Sequence, residues 1–365
     1  MSVGNKDAFW MAKAIGLAKK GRFTTTPNPN VGCVIVKNGE IIGQGYHYKA
    51  GEPHAEVHAL AEAGKNAQGA TAYVTLEPCS HTGKTPPCAQ ALIEAKVARV
   101  VCAMTDPNPQ VAGSGFNQLK SQGIEVEVGV LAGEAEAINR GFLKRMRAKS
   151  PFVQVKMASS LDGGTAMANG ESQWITGREA RQDVQRYRAQ ACAIVTGVGT
   201  VQADDPSLNV RLTGDSRQPD RIILDSTLTT PFTANLFTLP GKTIIVHSSQ
   251  SSERIASFKA KDLELVYLPQ SNGKRGVSLE AFMTWAGERY NHLWVEAGAT
   301  LAGAFITEHY ADEVVLYQAP VFLGATARPV IKEELANLAD KLQFKVLDQR
   351  FVGQDVRWVL KPIAQ

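Results

Sequence analysis

The sequence predicts an α/β protein in two domains. Three observations carry that expectation. The chain has 365 residues, more than a single core of ordinary size accommodates. Apolar runs of strand length alternate with helical stretches up to residue 145, the rhythm of a sheet sandwiched between helices. A short basic stretch at 145–150 then meets Pro151 and a second alternation begins, which places the boundary near 149.

Composition narrows the class. A hydrophobic content of 44% supplies proper cores, and a net charge of +4 forces no nucleic-acid footprint. Five cysteines without a signal peptide point to a reducing compartment, hence the cytoplasm. No apolar run reaches membrane-spanning length.

In chain order, residues 7–20 read as an amphipathic helix that stops at Gly21. The polar loop 22–30 contains Asn28 and Asn30 beside prolines. It is either a plain turn or an amide offering a donor and an acceptor to a heterocycle edge. Strand 31–36, the turn Asn38-Gly39 and strand 40–47 form a hairpin, whose last residue, His47, reads on its own as a surface histidine. Residues 53–64 are a helix with His54 and Glu56 in its first turn, and 71–76 are a buried strand. Thr85-Pro86-Pro87-Cys88 opens the next helix, 99–103 is a strand, and 119–130 and 134–145 extend the sandwich.

The chemistry is concentrated at 53–88. His54-Ala55-Glu56, followed by Pro78-Cys79 and a second cysteine, Cys88, is the zinc-deaminase pattern. One imidazole and two thiolates leave a fourth zinc position for water, so the expected site is catalytic. Glu56 carries protons and binds no metal. His54 and Cys88 both fall at helix N-termini, where partial positive charge favours thiolate. Eight residues separate Cys79 from Cys88, where the compact pattern has two, and the extra residues read as a substrate-recognition loop.

Beyond 149 the expected elements are strand 152–158, the turn Leu161-Asp162-Gly163-Gly164, and a helix over 176–190. Thr176 is its N-cap, with Glu179 completing a capping box. Strand 191–196 runs into the glycine turn Gly197-Val198-Gly199-Thr200, and Asp204-Asp205-Pro206 breaks the next segment. Strands at 221–224, 243–247, 264–268, 292–295 and 313–317 and a hairpin at 345–359 complete a largely parallel α/β domain. Residues 296–304 form a glycine turn entering a helix, a geometry that suits an anion or is merely structural. Neither a Gly-x-Gly-x-x-Gly nor a Walker pattern occurs.

His54-Ala55-Glu56-Val57-His58-Ala59-Leu60, Leu76-Glu77-Pro78-Cys79 through Cys88, Asp106-Pro107-Asn108-Pro109, Gly141-Phe142 and Lys156 with Ser159-Ser160-Leu161-Asp162-Gly163 resemble the bifunctional riboflavin-biosynthesis deaminase–reductases, essentially end to end. The resemblance implies a cytidine-deaminase-like αβα sandwich over 1–149, a zinc-dependent pyrimidine deaminase. Over 150–365 it implies a dihydrofolate-reductase-like α/β domain, an NADPH-dependent pyrimidine reductase. It implies one zinc on His54, Cys79 and Cys88, with Glu56 as the catalytic residue. Asn28, His47, His81 and Lys84 would lie around the deaminase substrate. The implied NADPH contacts are Ala158, Trp174, Thr200, Asp204, Ser226, Gly298, Ala299, Thr300, Leu301, Ala302, Gly303 and Ala304. Ser172, Arg188, Leu208, Arg211 and Glu296 would contact the second substrate. The forked guanidinium groups of Arg188 and Arg211 suit its phosphate. Gly163-Gly164 departs from the Gly-Arg or Gly-Lys expected after Leu-Asp, which leaves the contacts there open.

The expected partners are small pyrimidine nucleotides, with no nucleic acid and no membrane, in a homo-oligomer, dimer or tetramer. Two other readings share the zinc pattern. A tRNA deaminase is disfavoured by the second half and by the lack of a basic stripe. A zinc-stabilised binding protein needs a fourth protein ligand from Glu56 or His58.

Overall fold

The computed structural model describes residues 3–80, 87–108, 111–261, 263–270 and 276–363. By internal contacts the chain divides into two compact units, Met1–Lys149 and Ser150–Gln365.

In the first unit the strands are β1 (Gly32–Lys37), β2 (Glu40–Tyr46), β3 (Thr71–Val74), β4 (Arg99–Cys102) and β5 (Glu125–Val128). They form a mixed sheet in the order β2-β1-β3-β4-β5, in which β1 runs antiparallel to both neighbours and β3, β4 and β5 run parallel. The helices are α1 (Val3–Ala18), α2 (Ala55–Ala63), α3 (Cys88–Glu94), α4 (Ser114–Ser121), α5 (Ala132–Ala137) and α6 (Arg140–Ala148). Both faces of the sheet are covered, and strand periodicity says which residue goes where. Cys33, Ile35, Ala72 and Val74 pack with Ala55, Ala59, Ala63, Ala89 and Leu92 on one face. Val34, Val36, Tyr73 and Val101 pack with Met11, Ala14, Ile15 and Leu143 on the other. Thus α2 and α3 share a face, and alanines make α2 slim enough to lie close to the sheet.

One polar clamp ties α1 to the middle of this sheet. Asp7 is buried and accepts from Arg99 Nη1 at 3.0 Å, Arg99 Nη2 at 3.1 Å and the Tyr73 hydroxyl at 2.7 Å. Arg99 also pairs with Glu125 and Glu127.

In the second unit the strands are β6 (Phe152–Ser159), β7 (Gly164–Ala166), β8 (Ala193–Gly197), β9 (Asp220–Leu224), β10 (Thr243–His247), β11 (Glu264–Tyr267), β12 (His292–Glu296), β13 (Glu313–Gln318), β14 (Arg328–Pro329), β15 (Phe344–Val352) and β16 (Asp355–Pro362). Nine of them make one sheet, β11-β10-β9-β8-β12-β6-β13-β16-β15, parallel through β13 and closed by the antiparallel hairpin β15–β16. β7 and β14 pair separately. The helices are α7 (Arg178–Gln190), α8 (Val198–Asp204), α9 (Ser252–Lys259), α10 (Leu279–Gly287) and α11 (Ala299–Thr307).

Two local expectations fail here. Thr176 does not cap α7: the N-cap is Gly177, no side chain caps the helix, and the Gly177 N–H donates to Asp355 Oδ2 at 2.7 Å. A carboxylate from β16 replaces the local box. The stretch 197–200 is not a free turn either, because Val198 already starts α8.

The Asp7 clamp predicts a pH-dependent stability. Burial pushes the Asp7 carboxyl up, but the bonds from Arg99 and Tyr73 outweigh it and hold it below its ordinary 3.8. Such a group stabilises the fold fully above 3.8 and stops doing so as pH falls through its lower folded value. Asp7→Asn should therefore destabilise the first unit by about 2 kcal/mol at neutral pH. Hydrogen exchange of β3 and β4 amides in variant and wild type should show that gap closing below pH ~4, the ordinary carboxylate range.

Candidate functional site

In the first unit, the N-termini of α2 and α3 converge beyond the end of β3. His54 is the N-cap residue of α2 and Cys88 the first residue of α3. Cys79 lies on the segment that leaves β3. His54 Nδ1 is 3.2 Å from Cys88 Sγ and 3.6 Å from Cys79 Sγ, and the Cys88 N–H donates to Cys79 Sγ at 3.3 Å. The three ligand atoms lie within 4.8 Å of one another. The Cys88 thiol beside it pulls Cys79 well below its ordinary 9, and Cys79 in turn pushes Cys88 up. One imidazole and two sulfurs fit zinc, and among the described residues no fourth protein donor joins them. That leaves the binding-protein reading without its fourth ligand there.

Two glycines that carry no motif signal make this convergence possible. A Cβ on Gly45 of β2 would lie 2.5 Å from the Ala55 carbonyl oxygen and 2.6 Å from His58 Cβ, and one on Gly43 would lie 2.1 Å from the Ala59 carbonyl oxygen. Only bare backbone lets the first turns of α2 come so near the sheet. Their alternate spacing within a strand was the available signal.

Glu56, in the same first turn, is 3% exposed, and its Oε2 makes no hydrogen bond. Burial, partly offset by His54, pushes its carboxyl up to about 7. An orphaned buried carboxylate oxygen beside the trio is what a proton carrier for a bound ligand requires.

His47 corrects the expectation of a surface histidine: it is 2% exposed, and its ring stands edge-on to His54 at 5.2 Å. Nδ1 is 3.2 Å from the Pro53 carbonyl, which can only accept, so Nδ1 carries the proton. Nε2 then accepts from Asn28 Nδ2 at 3.0 Å. The Asn28 N–H closes a turn on the Thr25 carbonyl at 2.9 Å, while its side chain reaches His47 beside the trio and leaves Oδ1 able to accept. Burial holds His47 below its ordinary value, which keeps this neutral relay intact. His81 and Lys84 lie outside the described residues, as does most of the loop between the two cysteines.

The second unit gathers its candidate residues at the carboxyl ends of parallel strands. β8 and β12 are neighbours, yet α8 leads from β8 towards β9, while α11 leads from β12 towards β13 on the other side. Connections diverging from adjacent strands open a crevice, the usual ligand position in such sheets. Across it, a Cβ on Gly298 would lie 3.9 Å from Thr200 Oγ1. The first-turn N–H groups of α11 have no partner within the helix and suit an anion. Ala302 and Gly303 are buried against the core, while Leu301 and Ala304 are half-buried.

Arg188 departs from the expectation of a phosphate fork. Its Nε and Nη2 donate to the two oxygens of Glu296 at 2.6 and 2.8 Å, and its Nη1 donates to the Asn209 carbonyl at 3.0 Å. Glu296 also accepts from Trp294 Nε1 at 2.8 Å. Burial alone would raise the Glu296 carboxyl, but Arg188 outweighs it and brings it to about 2. Arg211 remains available: it is exposed and donates to Asn209 Oδ1 at 2.8 Å.

Lys156, which sequence reasoning singled out only as part of a motif, interacts with Glu296, Arg188 and Asp204, and burial pushes its ammonium down. The side chain of Leu208 is buried, which leaves its backbone as the contact. Ser172, Ala158 and Ser226 are half-buried, and Asp204 is exposed. Trp174 is 68% exposed, with the Arg181 guanidinium 4.4 Å from its ring centre. Asp225 is fully buried and accepts from Thr227, Thr229 and Thr230. Gly164 has no room for a side chain, since its Cβ would meet Ala327 Cβ at 2.9 Å and Leu323 Cδ1 at 3.0 Å.

Comparison with known proteins places both halves. Residues 4–104 match the family described as the cytidine and deoxycytidylate deaminase zinc-binding region. Residues 151–356 match the RibD C-terminal domain. The chain is 50% identical to riboflavin biosynthesis protein RibD of Escherichia coli K12, over 96% of this chain and 98% of that one. It is 48% identical to RibD of Haemophilus influenzae, over 99% of each. Among solved structures, Acinetobacter baumannii RibD superposes with a TM-score of 0.93 at 46% identity, covering 99% of this chain and 100% of that one. A Thermotoga maritima protein described as a diaminohydroxyphosphoribosylaminopyrimidine deaminase/5-amino-6-(5-phosphoribosylamino)uracil reductase gives 0.87 at 34% identity, covering 99% of each.

The trio predicts the consequence of losing one sulfur. Purified protein should carry about one zinc per chain, and Cys79→Ser should carry a small fraction of that, because a hydroxyl is a poor zinc donor beside a thiolate. Metal analysis of both proteins checks this, and full occupancy in the variant would remove Cys79 from the site.

Proposed function

The chain belongs to the RibD family of riboflavin-biosynthesis proteins, and from that premise we propose how its residues divide the work. It is a bifunctional enzyme with a zinc-binding deaminase half and a reductase half, acting on small molecules. We assign deamination to residues 1–149 and reduction to 150–365. The Thermotoga relative is named for a diaminohydroxyphosphoribosylaminopyrimidine, and we take the deaminase substrate here to be 2,5-diamino-6-(5-phosphoribosylamino)pyrimidin-4(3H)-one. The resulting 5-amino-6-(5-phosphoribosylamino)uracil, named for the same relative, is then reduced at its ribosyl chain, which we take to give the ribityl compound.

The observation that carries the first assignment is the orphaned Glu56 carboxylate beside the His54, Cys79 and Cys88 trio. Zinc held there supplies a Lewis acid that lets water ionise near neutral pH. Glu56 takes a proton from the attacking water and delivers it to the departing amine, so water enters, ammonia leaves and the ring carbon becomes a carbonyl. Asn28, oriented by His47, accepts from the ring edge. Lys84 is assigned to the substrate phosphate as a point charge.

For the second assignment, NADPH is the hydride donor. The first turn of α11 and the start of α8 at Thr200 hold its pyrophosphate, and Ala158, Asp204 and Ser226 line the remainder. The open face of Trp174 is a stacking surface for a planar ring. Arg211 takes the substrate phosphate, with Ser172 and the Leu208 backbone beside it. Glu296, locked by Arg188, presents its remaining lone pairs to a substrate hydroxyl. Lys156, beside it, donates to the sugar oxygen that gains the proton.

We place the protein in the cytoplasm: all five cysteines are free, and no helix among the described residues is long and apolar enough to cross a membrane. The partner is a second copy of the chain. β15 is an edge strand that exposes Val346, Leu347 and Phe351, which would otherwise leave unpaired backbone and apolar area in water.

Two experiments test the division. Glu56→Gln keeps the size but cannot take up a proton, so ammonia release should fall roughly 100- to 10,000-fold with zinc retained. Its NADPH oxidation on deaminated substrate should match wild type, while Arg211→Ala should show the reverse. If folded, zinc-loaded Glu56→Gln lost both activities, the two-site assignment would fail. Separately, kcat/KM should be higher with NADPH than with NADH, and equal values would refute the cofactor assignment.

A further inference from the structure

Glu77 lies two residues before Cys79, and the deamination chemistry does not use it. Its side chain is 3% exposed. Oε2 accepts from the backbone N–H of Asp106 at 3.1 Å and of Gly113 at 3.0 Å, and Oε1 accepts from the N–H of Gly115 at 3.0 Å. Its own N–H donates to the Met104 carbonyl at 3.0 Å. All three donors come from the segment that leads from β4 into α4, whereas Glu77 leads from β3 to a metal ligand. A buried carboxylate accepting three main-chain N–H bonds is a strong and directional tether.

The residues around Cys79 meet the same segment. A Cβ on Gly115 would lie 2.1 Å from the Pro78 carbonyl oxygen, so the two backbones are in contact. On the other side of Cys79, Ser80 Oγ is 2.6 Å from Ser114 Oγ. Cys79 itself accepts at its carbonyl from the Ala89 N–H at 3.1 Å and at its sulfur from the Cys88 N–H at 3.3 Å. Cys79 is therefore fixed from α3 by its own atoms and from α4 by its flanking residues, chiefly Glu77.

We propose that Glu77 is a positioning residue for the zinc-binding sulfur of Cys79. It couples the start of α4 and the Asp106 turn to the metal site, through contacts that only a carboxylate can make. This rests on the zinc-deaminase assignment. The bland alternative is that Glu77 merely caps α4 from a distance. Glutamine separates the two readings. An amide has one accepting oxygen, so in either orientation its NH₂ faces at least one of the three N–H donors and pushes that donor away.

The test uses the full-length, zinc-loaded chain and Glu77→Gln. Zinc transfer to a chromogenic chelator should accelerate about 10- to 100-fold, the usual cost of losing an outer-shell partner. In the cobalt(II)-loaded protein the thiolate-to-cobalt absorption should shift, while NADPH oxidation on deaminated substrate stays at the wild-type rate. A variant with a lower melting temperature but unchanged zinc release and cobalt spectrum would reduce Glu77 to a helix cap. Should Glu77→Gln not fold, hydrogen exchange on the wild type decides. The Asp106, Gly113 and Gly115 amides should be protected with zinc bound and lose protection when it is chelated, and protection indifferent to metal overturns the coupling. Wild-type protein that bound neither zinc nor cobalt would sink the deaminase assignment instead.

Discussion

The deaminase half depends on one steric constraint: α2 must lie almost on the backbone of β2. Gly43 and Gly45 remove the side chains that would meet the Ala55 and Ala59 carbonyls, and alanines at 55, 59 and 63 complete the fit from the helix side. His54, at the N-cap, is carried to the end of β3, where Cys79 and the start of α3 already are. Two helix N-termini then point at one place, and their aligned N–H dipoles favour the negative sulfur that binds metal. Without that approach the motif residues would still be present in the chain but would not converge.

In the reductase half, convergence comes from topology. β12 enters the sheet between β8 and β6, strands formed much earlier in the chain, so the connections from β8 and β12 diverge and leave a crevice. Thr200 and Gly298, nearly a hundred residues apart, face each other there because the strands that lead to them are neighbours. A short glycine turn says little about function, and it was the strand order that set these two turns beside one another.

Legibility in the sequence tracks the range of the interaction involved. His54, Glu56, Cys79 and Cys88 stood out because metal chemistry restricts residue types within a short stretch. Most strands were readable from periodicity, since both faces of the first sheet are buried in alternation, whereas α8, α9 and α10 went unread. Apart from the 197–200 turn, where Val198 already starts α8, the failures came from distant partners. His47 read as a surface residue because its bonds to Asn28 and Pro53 depend on how the hairpin returns. Thr176 lost its capping role to Asp355, 179 positions away. Arg188 looked free for a phosphate because nothing local shows that Glu296 occupies its fork.

That last pairing shapes the charge of the reductase site. Lys156 and Arg188 face Glu296 and Asp204, two positive groups against two negative ones. A buried ion pair such as Arg188–Glu296 contributes little net stability, because desolvation offsets most of its attraction. Its effect here is geometric: the bidentate contact and the Trp294 N–H fix both oxygens of Glu296 at the end of β12. The cluster is thus internally balanced, and Arg211 stays exposed at its margin. The two halves therefore handle buried carboxylates differently. Glu296 is held ionised by a guanidinium, Glu77 is satisfied by backbone N–H groups, and Glu56 alone keeps an oxygen without a partner. Of the three, only Glu56 has an oxygen that can exchange a proton without first breaking a bond to the fold, the feature on which its proposed role rests.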